Sequence, residues 1–327
     1  MPDELFFGSG GKTLEEFQKL YGDSDPYSLS KELCVMNTAL TKSNCIKTYD
    51  VVLYPKKLDI KFYQKFISHT PNLTHDVFTD PSNAITKGNK MIKKRTNGLI
   101  ETVLDPDDVT DDTVFIFINV VYFLSRWQTP FDPKNTMQKD FTPLSKNVIK
   151  EQMMMINKEK FAYYEDNISK VVVLPYKGDY SMWICLPNKP QHFSCINTDY
   201  IRTSMSDAKY QELSTLSIPK FTHRTKHDLI PVLKTLGLDT AFSDKQANFQ
   251  NMSNQDVFIS KVIHECIVKV DEFQTEAAAY TKVIMKCKCA RKEPKKLYSF
   301  IANRTFSYAI VHTMAKTVVF NGVYDGN

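Results

Sequence analysis

Residues that could perform chemistry are scattered through this sequence without the spacing that catalysis needs. The stretch Gly8-Ser-Gly-Gly-Lys-Thr13 is similar to a phosphate-binding loop, but Phe6 stands where that loop requires its first glycine. The glycines at positions 8, 10 and 11 suit a turn instead. Cys287 and Cys289 lack the further nitrogen and sulfur ligands of a zinc site, so two exposed loop thiols are the simpler interpretation. No Gly-x-Ser-x-Gly turn occurs, and we expect no enzyme activity, no metal and no cofactor.

Composition and length indicate a soluble globular chain. It has 327 residues, 42% of them hydrophobic, and a formal net charge of +5, which by itself does not argue for nucleic acid as a partner. No run approaches the ~20 apolar residues of a membrane span. The acidic start is unlike a secretory signal, so we expect a cytoplasmic protein whose seven cysteines are free thiols. We also expect a monomer. No linker separates two cores, and we expect one domain over residues 1–327.

The spacing of apolar residues predicts an α+β fold with large antiparallel or mixed sheets. Helices are predicted at Thr13–Tyr21 with Thr13 as N-cap, at Leu58–Ile67, at Asn83–Leu99 and at Asp228–Leu236, which Gly237 ends. Strands are predicted at Thr113–Phe123, Met153–Tyr164, Val171–Leu174, Tyr180–Leu186 and over most of the chain from Val257 onward. The nearly unbroken apolar run at 113–123 indicates a central strand covered on both faces.

An alanine-rich segment near the C-terminus, Glu272–Thr281, has the parity of a strand that a sheet could accept. Successive side chains of a strand point to opposite faces. One face would carry only small residues, namely Thr275, Ala277, Ala279 and Thr281. A slip of one residue would bury the lysines that follow on the other face, so the register is well specified. From composition alone, an amphipathic edge strand or an alanine-rich helical turn is an equally good interpretation.

The same segment resembles the hinge of the serpin family. That pattern begins with Glu, followed by one variable residue and then by a position that is usually Gly. It continues with Thr-Glu-Ala-Ala-Ala, a small residue and Thr. The matching residues are Glu272, Thr275, Glu276, Ala277, Ala278, Ala279 and Thr281. Gln274 stands in place of the glycine and Tyr280 in place of the small residue. Both departures fall on the outward face, so we expect strand insertion to tolerate them.

Further blocks follow the family's order and spacing from about Phe7 to the end of the chain. They are Asn119–Trp127 with Pro130-Phe131, Leu174–Met182 with Leu186-Pro187, Ile218–Phe221, Leu236–Leu238, Val262–His264 and Phe320–Val323. The chain is similar to the small intracellular poxvirus serpins. The resemblance implies the serpin fold, with helices around large sheets and an exposed C-terminal reactive loop at about 272–296. It also implies an N-terminally shortened member that lacks the family's first helices.

The resemblance implies roles for three more residues. Asn119 and His264 match polar positions in the family's shutter, where the central strands part, and Trp127 matches a position at the top of the sheet, where insertion begins. The two serines that partner the shutter residues in the family would precede residue 1. A buried Asn–His pair that only satisfies its own hydrogen bonds is an alternative, and both interpretations can hold together.

The function that the resemblance implies is inhibition of a protease by a suicide-substrate mechanism. The protease cleaves the reactive loop, and the loop then inserts into the sheet. Family spacing places the cleaved bond between Lys288 and Cys289, with Lys286 and Arg291 as alternatives. A lysine at that bond predicts a trypsin-like serine protease as partner, because the pocket of such a protease carries a carboxylate. We expect viral modulation of host defence. A non-inhibitory serpin-like protein that binds a host factor through its surface stays open.

Two further expectations concern basic residues. The helix predicted at 83–99 carries a basic face, which we interpret as solvated, with a polyanion site as the alternative. Its members are Lys87, Lys90, Lys93, Lys94 and Arg95. The region between Lys31 and Asn44 is expected to be too short for the family's heparin-binding helix.

Overall fold

Thirteen strands and six helices make up the part of the chain that the structure describes. The structure is a computed structural model that describes residues 3–22, 26–42, 45–60, 73–145, 147–272 and 297–326. The strands are β1 (Ile46–Pro55), β2 (Leu73–Phe78), β3 (Phe115–Phe123), β4 (Met137–Phe141), β5 (Ile149–Glu165), β6 (Ser169–Pro175), β7 (Tyr180–Pro187), β8 (Lys209–Pro219), β9 (Phe221–Asp228), β10 (Ile259–Val270), β11 (Tyr298–Ile301), β12 (Phe306–His312) and β13 (Thr317–Tyr324). The helices are α1 (Asp3–Gly8), α2 (Gly11–Leu20), α3 (Pro26–Thr41), α4 (Pro81–Arg95), α5 (Thr198–Asp207) and α6 (Ile230–Thr235).

The elements fall into two compact units. The first comprises residues 1–123 and 224–268, and the second comprises residues 124–223 and 269–327. The expectation of a single domain over 1–327 stays a prediction. No helix in the described ranges is long and apolar enough to cross a bilayer.

A five-stranded mixed sheet organises the first unit, in the order β2-β1-β3-β10-β9. Strand β3 is central, antiparallel to β1 and parallel to β10. Its sequence FIFINVVYF is almost wholly apolar because both of its faces are covered. On one face, Phe115 and Phe117 pack in a core with Phe6 and Phe17 of α1 and α2.

Helix α4 packs on the opposite face of this sheet, where a glycine lets it come close. A Cβ atom on Gly88 would lie 2.7 Å from Leu104 and 3.2 Å from Leu53 of β1. The helix begins with Asp80 as N-cap, whose side chain accepts a hydrogen bond from the Asn83 amide. Close packing at Gly88 therefore fixes α4 against the β1 side of the sheet.

An eight-stranded sheet organises the second unit. Seven strands follow the order β11-β8-β5-β6-β7-β12-β13, and β4 pairs with β5. Every residue of β7 is buried, as the strand lies between β6 and β12 and beneath α5. Trp183 of β7 donates from its indole nitrogen to the Ser204 hydroxyl of α5 at 2.9 Å, which ties the helix to the sheet.

Most predicted strands are confirmed within a few residues, whereas two helix predictions need correction. Thr13 is not an N-cap: α2 begins at Gly11 after Gly10, and the buried Thr13 side chain contacts Thr240 at 2.9 Å instead. Gly11 has φ of +50°, which favours glycine at this turn between α1 and α2. The predicted helix at 58–67 lies mostly outside the described residues, and positions 58–60 are not helical.

The helix α3 was not expected from the sequence. It spans 16 residues, Pro26–Thr41, and overlaps the region between Lys31 and Asn44. The expectation that this region is too short for the family's heparin-binding helix stays a prediction. The side chains of Val35 and Met36 are exposed on it, whereas Leu29 packs against the core of the first unit. Helices α4 and α6 end earlier than predicted, before the left-handed residues Gly98 and Gly237.

Candidate functional site

The indole of Trp127 anchors the chain just before the alanine-rich segment. Its ring is buried, stacks on Tyr176 at a centroid distance of 4.2 Å and meets the edge of Phe131 at 6.0 Å. The indole nitrogen donates to the backbone carbonyl of Asp271 at 2.8 Å. Trp127, which matches the family position at the top of the sheet, therefore binds Asp271, the residue just before the hinge.

Glu272, the first hinge residue, is held by both its side chain and its backbone. Its carboxylate accepts hydrogen bonds from the Thr136 hydroxyl at 2.8 Å and from the Lys220 ammonium at 2.8 Å. Its carbonyl accepts from the Phe131 amide at 3.2 Å. The Glu272 side chain is 8% exposed and that of Lys220 is 46% exposed. We call these four residues the loop anchor.

The charge state of Glu272 follows from these contacts. Burial alone would raise the pKa of its carboxyl, but the hydrogen bonds from Lys220, the backbone and Thr136 outweigh burial, and the pKa is lowered. Glu272 is therefore ionised near neutral pH. Within the loop anchor, Glu272 and Lys220 form an ion pair of a shielded acid and a half-exposed base. The acid is therefore the more costly partner to leave unpaired.

Three polar residues form a row across the five-stranded sheet of the first unit. Asn119 of β3 lies opposite Asp50 of β1 and opposite His264 of β10 in the strand registers. Its side-chain nitrogen donates to Asp50 at 2.8 Å, and its side-chain oxygen lies 2.6 Å from His264 Nδ1. Cys266 Sγ lies 2.9 Å from His264 Nε2. The row thus joins three neighbouring strands.

The direction of each hydrogen bond in this row follows from the carboxylate at its end. Asp50 can only accept, so the Asn119 amide donates to it and turns its oxygen toward His264. His264 Nδ1 then carries the proton, and its Nε2 accepts from the thiol of Cys266. Burial raises the pKa of that thiol to about 11, which keeps it protonated as a donor. A neutral imidazole satisfies every contact.

Burial lowers the pKa of His264, in keeping with its neutral form. A cavity of about 210 Å³ adjoins the row, lined by Asp50, Asn119, His264 and the apolar side chains of Phe117, Ile118, Leu229 and Val262. Protonating His264 would place a charge beside a mostly apolar wall and would remove the acceptor for Cys266. The row therefore favours one protonation state of its histidine.

We expect acidification to destabilise the protein through His264. Its pKa in the folded state lies below the ordinary histidine value of 6.5, so the unfolded chain binds the proton more readily. The stabilising contribution is complete above about pH 6.5 and declines as the pH falls through the folded-state pKa, by at most ~1.4 kcal/mol per pH unit for one proton. Urea unfolding of wild type and His264→Gln at pH 7.5 and pH 5.5 measures it. An equal pH slope in the two proteins would contradict this assignment.

The other predicted site residues cannot be placed. The hinge residues Thr275, Glu276, Ala277, Ala278, Ala279 and Thr281 and the bond between Lys288 and Cys289 lie outside the described residues. The structure thus describes the loop anchor that precedes the hinge. The roles of the hinge residues stay predictions.

The basic face of α4 is largely engaged within its own unit. Lys87 contacts Asp76 at 3.2 Å, Lys93 contacts Glu101 at 2.8 Å, and Arg95 lies over the Tyr49 ring at 5.4 Å. These contacts favour a structural role for the basic residues over a polyanion site.

Sequence reasoning missed Asp50, Thr136, Lys220 and Cys266. Lys220 stands in the block at 218–221 that carried the family resemblance, so that block was the available signal. Asp50 is 69 positions from Asn119, and only strand register brings the two together.

His223 and His227 are four residues apart, which is the spacing of two metal ligands on one face of a helix. Both lie on β9, where residues four apart are ~13 Å apart.

Comparison with known structures defines the class of fold. The crystal structure of native protease nexin-1 with heparin matches with a TM-score of 0.84, over 99% of this chain and 89% of that chain, at 22% identity. The crystal structure of a thermophilic serpin, tengpin, in the native state matches with a TM-score of 0.81 over 99% of this chain and 85% of that chain, at 22% identity. The α+β architecture is therefore the serpin fold.

Sequence comparisons establish the family. The family model described as Serpin (serine protease inhibitor) matches residues 4–325. An uncharacterized serpin-like protein of Acanthamoeba polyphaga mimivirus is 29% identical, covering 98% of this chain and 81% of the relative. Serpin B6 of Pongo abelii is 30% identical, covering 96% and 82%. Human plasminogen activator inhibitor 2 is 31% identical, covering 80% and 65%. The chain belongs to the serpin family of serine protease inhibitors.

Proposed function

We propose that this serpin inhibits a trypsin-like serine protease by a suicide-substrate mechanism. The protease cleaves the loop near the bond between Lys288 and Cys289 and becomes acylated. The freed hinge then inserts between β3 and β10, and the tethered protease is distorted. The expected monomer neither binds a cofactor nor catalyses a reaction, and it acts in the cytoplasm of a host cell to modulate defence. The mimivirus relative supports the viral part of the proposal.

The parallel pairing of β3 and β10 carries this proposal. The two strands pair from Phe115 to Phe123 and from Ile259 to Val268, and the chain runs from β10 through Glu272 directly into the hinge. A segment that folds back after β10 would run antiparallel to β10 and also to β3. Its insertion would replace one parallel ladder with two antiparallel ladders, which are slightly more stable per residue.

The inward face of the hinge suits such a position. Thr275, Ala277, Ala279 and Thr281 are small, so they add little volume where a sheet is already covered on both faces. Gln274 and Tyr280 would point to the other face. The lysine at the cleaved bond supports a protease with a carboxylate in its specificity pocket.

We expect trypsin to form a covalent complex with this protein. Acylation leaves the protease bonded to residue 288, so denaturing gels should show a band at the summed mass that survives boiling. N-terminal sequencing of the released C-terminal peptide should begin at Cys289. Lys288→Ala should abolish the band with trypsin, whereas Lys286→Ala should not. Cleavage of the loop without any such band, across a panel of trypsin-like proteases, would instead support a non-inhibitory binding protein.

A further inference from the structure

The segment between α4 and β3, residues 96–114, is fixed at one end to α4. The side-chain oxygen of Asn89 accepts from the amides of Val103 and Leu104, each at 2.8 Å, and its nitrogen donates to the Leu104 carbonyl at 2.9 Å. Leu104 also packs close to Gly88 of the same helix. The segment then continues without interruption into β3 at Phe115. The segment is therefore tied to α4 at this end and is continuous with β3 at its other end.

The same segment is fixed to β9 and β10 through Asp108. Lys226 of β9 contacts Asp108 at 2.8 Å and Asp105 at 2.5 Å. Lys261 of β10 contacts the other oxygen of Asp108 at 3.2 Å and also contacts Asp228 at 3.1 Å. The carboxylate of Asp108 thus binds both β10 and its outer neighbour β9.

Arg224 makes a further contact between the α4–β3 segment and strands β9 and β10. Arg224 of β9 donates to the Thr102 carbonyl at 2.5 Å and also pairs with the fully buried carboxylate of Glu265 on β10. The α4–β3 segment therefore lies across the ladder on the α4 face of the sheet. It is held by α4 on one side and by Arg224, Lys226 and Lys261 on the other.

The Asp108 contacts are shielded enough to matter. The side chains of Asp108, Lys226 and Lys261 are 14%, 27% and 23% exposed. Burial opposes the charged forms. Even so, the hydrogen bonds lower the pKa of Asp108 and raise the pKa of both lysines. All three groups are charged near neutral pH, and their interaction weakens as salt is added.

We propose that Asp108 is a positioning residue that limits how fast β3 and β10 separate. The link to inhibition rests on the proposed function, in which the hinge enters between these two strands. An added strand moves its neighbours apart by a further ~4.8 Å. Contacts of 2.8 Å and 3.2 Å from Asp108 to β9 and β10 cannot persist while its own segment stays with α4 and β3. Release of Asp108 must therefore accompany or precede separation.

Hydrogen exchange of the full-length protein tests this inference directly. Asp108→Asn should make the amides at positions 262–268 of β10 exchange about fivefold faster than in wild type, because the strands open more often. Asp108→Glu should restore most of the protection. Raising NaCl from about 0.05 M to 0.5 M, which shortens the screening length roughly threefold, should speed exchange in wild type and have little effect in Asp108→Asn.

Glu101→Gln is the matched control. It removes one negative charge from the same segment, but its partner is Lys93 of α4, and the pair is exposed. Its β10 exchange should equal that of wild type. Equal exchange in Asp108→Asn and wild type would overturn the inference, as would the same increase in Glu101→Gln or a failure of Asp108→Glu to restore protection. A wild-type protein that traps no protease would overturn the proposed function instead, and the exchange comparison would still decide the role of Asp108.

Discussion

Cleavage of the reactive loop should raise the midpoint of thermal unfolding by about 20 °C or more. Insertion adds a strand with roughly a dozen ladder hydrogen bonds at ~1 kcal/mol each, so the cleaved form should be more stable by ~10 kcal/mol. That is comparable to the whole stability of an ordinary domain. A gain of 1 kcal/mol moves the midpoint by roughly 2–4 °C in chains of 150–250 residues. The uncleaved form must then persist because it is kinetically trapped.

Two neighbouring substitutions separate strand insertion from cleavage alone. Ala277→Glu places a long charged side chain on the inward face of the hinge and adds no trypsin site, so this variant should be cleaved by trypsin and gain no stability. Ala278→Glu places the same side chain on the outward face and should keep the gain. Thermal unfolding before and after nicking is the measurement. A wild-type midpoint that does not move on nicking would indicate a relaxed scaffold and would contradict strand insertion.

The elements that periodicity predicts well are those with strongly patterned burial. Strand β3 is apolar along its whole length because it is covered on both faces, and this pattern is visible without a structure. Helix α3 exposes Val35 and Met36, so its apolar residues alone do not mark which face is buried. Thr13 has the residue type of an N-cap, yet tertiary contacts with Thr240 and the Asn248 amide use its hydroxyl instead. Local propensity gives way to tertiary contacts at such positions.

The candidate site likewise contains residues that the sequence identifies and partners that it does not. Trp127, Asn119, His264 and Glu272 stand in motifs, so resemblance identified them. Their partners are set by strand register and by approaches between distant parts of the chain. Lys220 is 52 positions from Glu272, and Asp108 is 118 positions from Lys226. Such pairs have no local sequence signature, because nothing in a short window states which strands become neighbours.

Reversing the charge of Glu272 should destabilise the uncleaved protein by about 2–3 kcal/mol. Lysine at this position would lose the hydrogen bonds from Lys220 and Thr136 and would place a second ammonium beside Lys220. A shielded charge that loses its partner is more costly than an exposed one. The free energy of unfolding in urea measures the change. Asp140→Lys is the matched control in the same unit, because its pair with Lys150 is exposed on both sides and should matter by less than ~1 kcal/mol.

The reciprocal exchange shows whether the pair itself stabilises the loop anchor. Combining Glu272→Lys with Lys220→Glu restores opposite charges at the two positions, while the Thr136 hydroxyl loses its acceptor. The double variant should therefore recover about half of the lost stability, which corresponds to a coupling energy above ~1 kcal/mol in a double-mutant cycle. If the two single effects simply add, Glu272 is held mainly by its backbone contact with Phe131 and by the indole beside it. In that case the hydrogen bond from Trp127 to the Asp271 carbonyl, which does not depend on charge, would contribute more to holding this segment than the ion pair does.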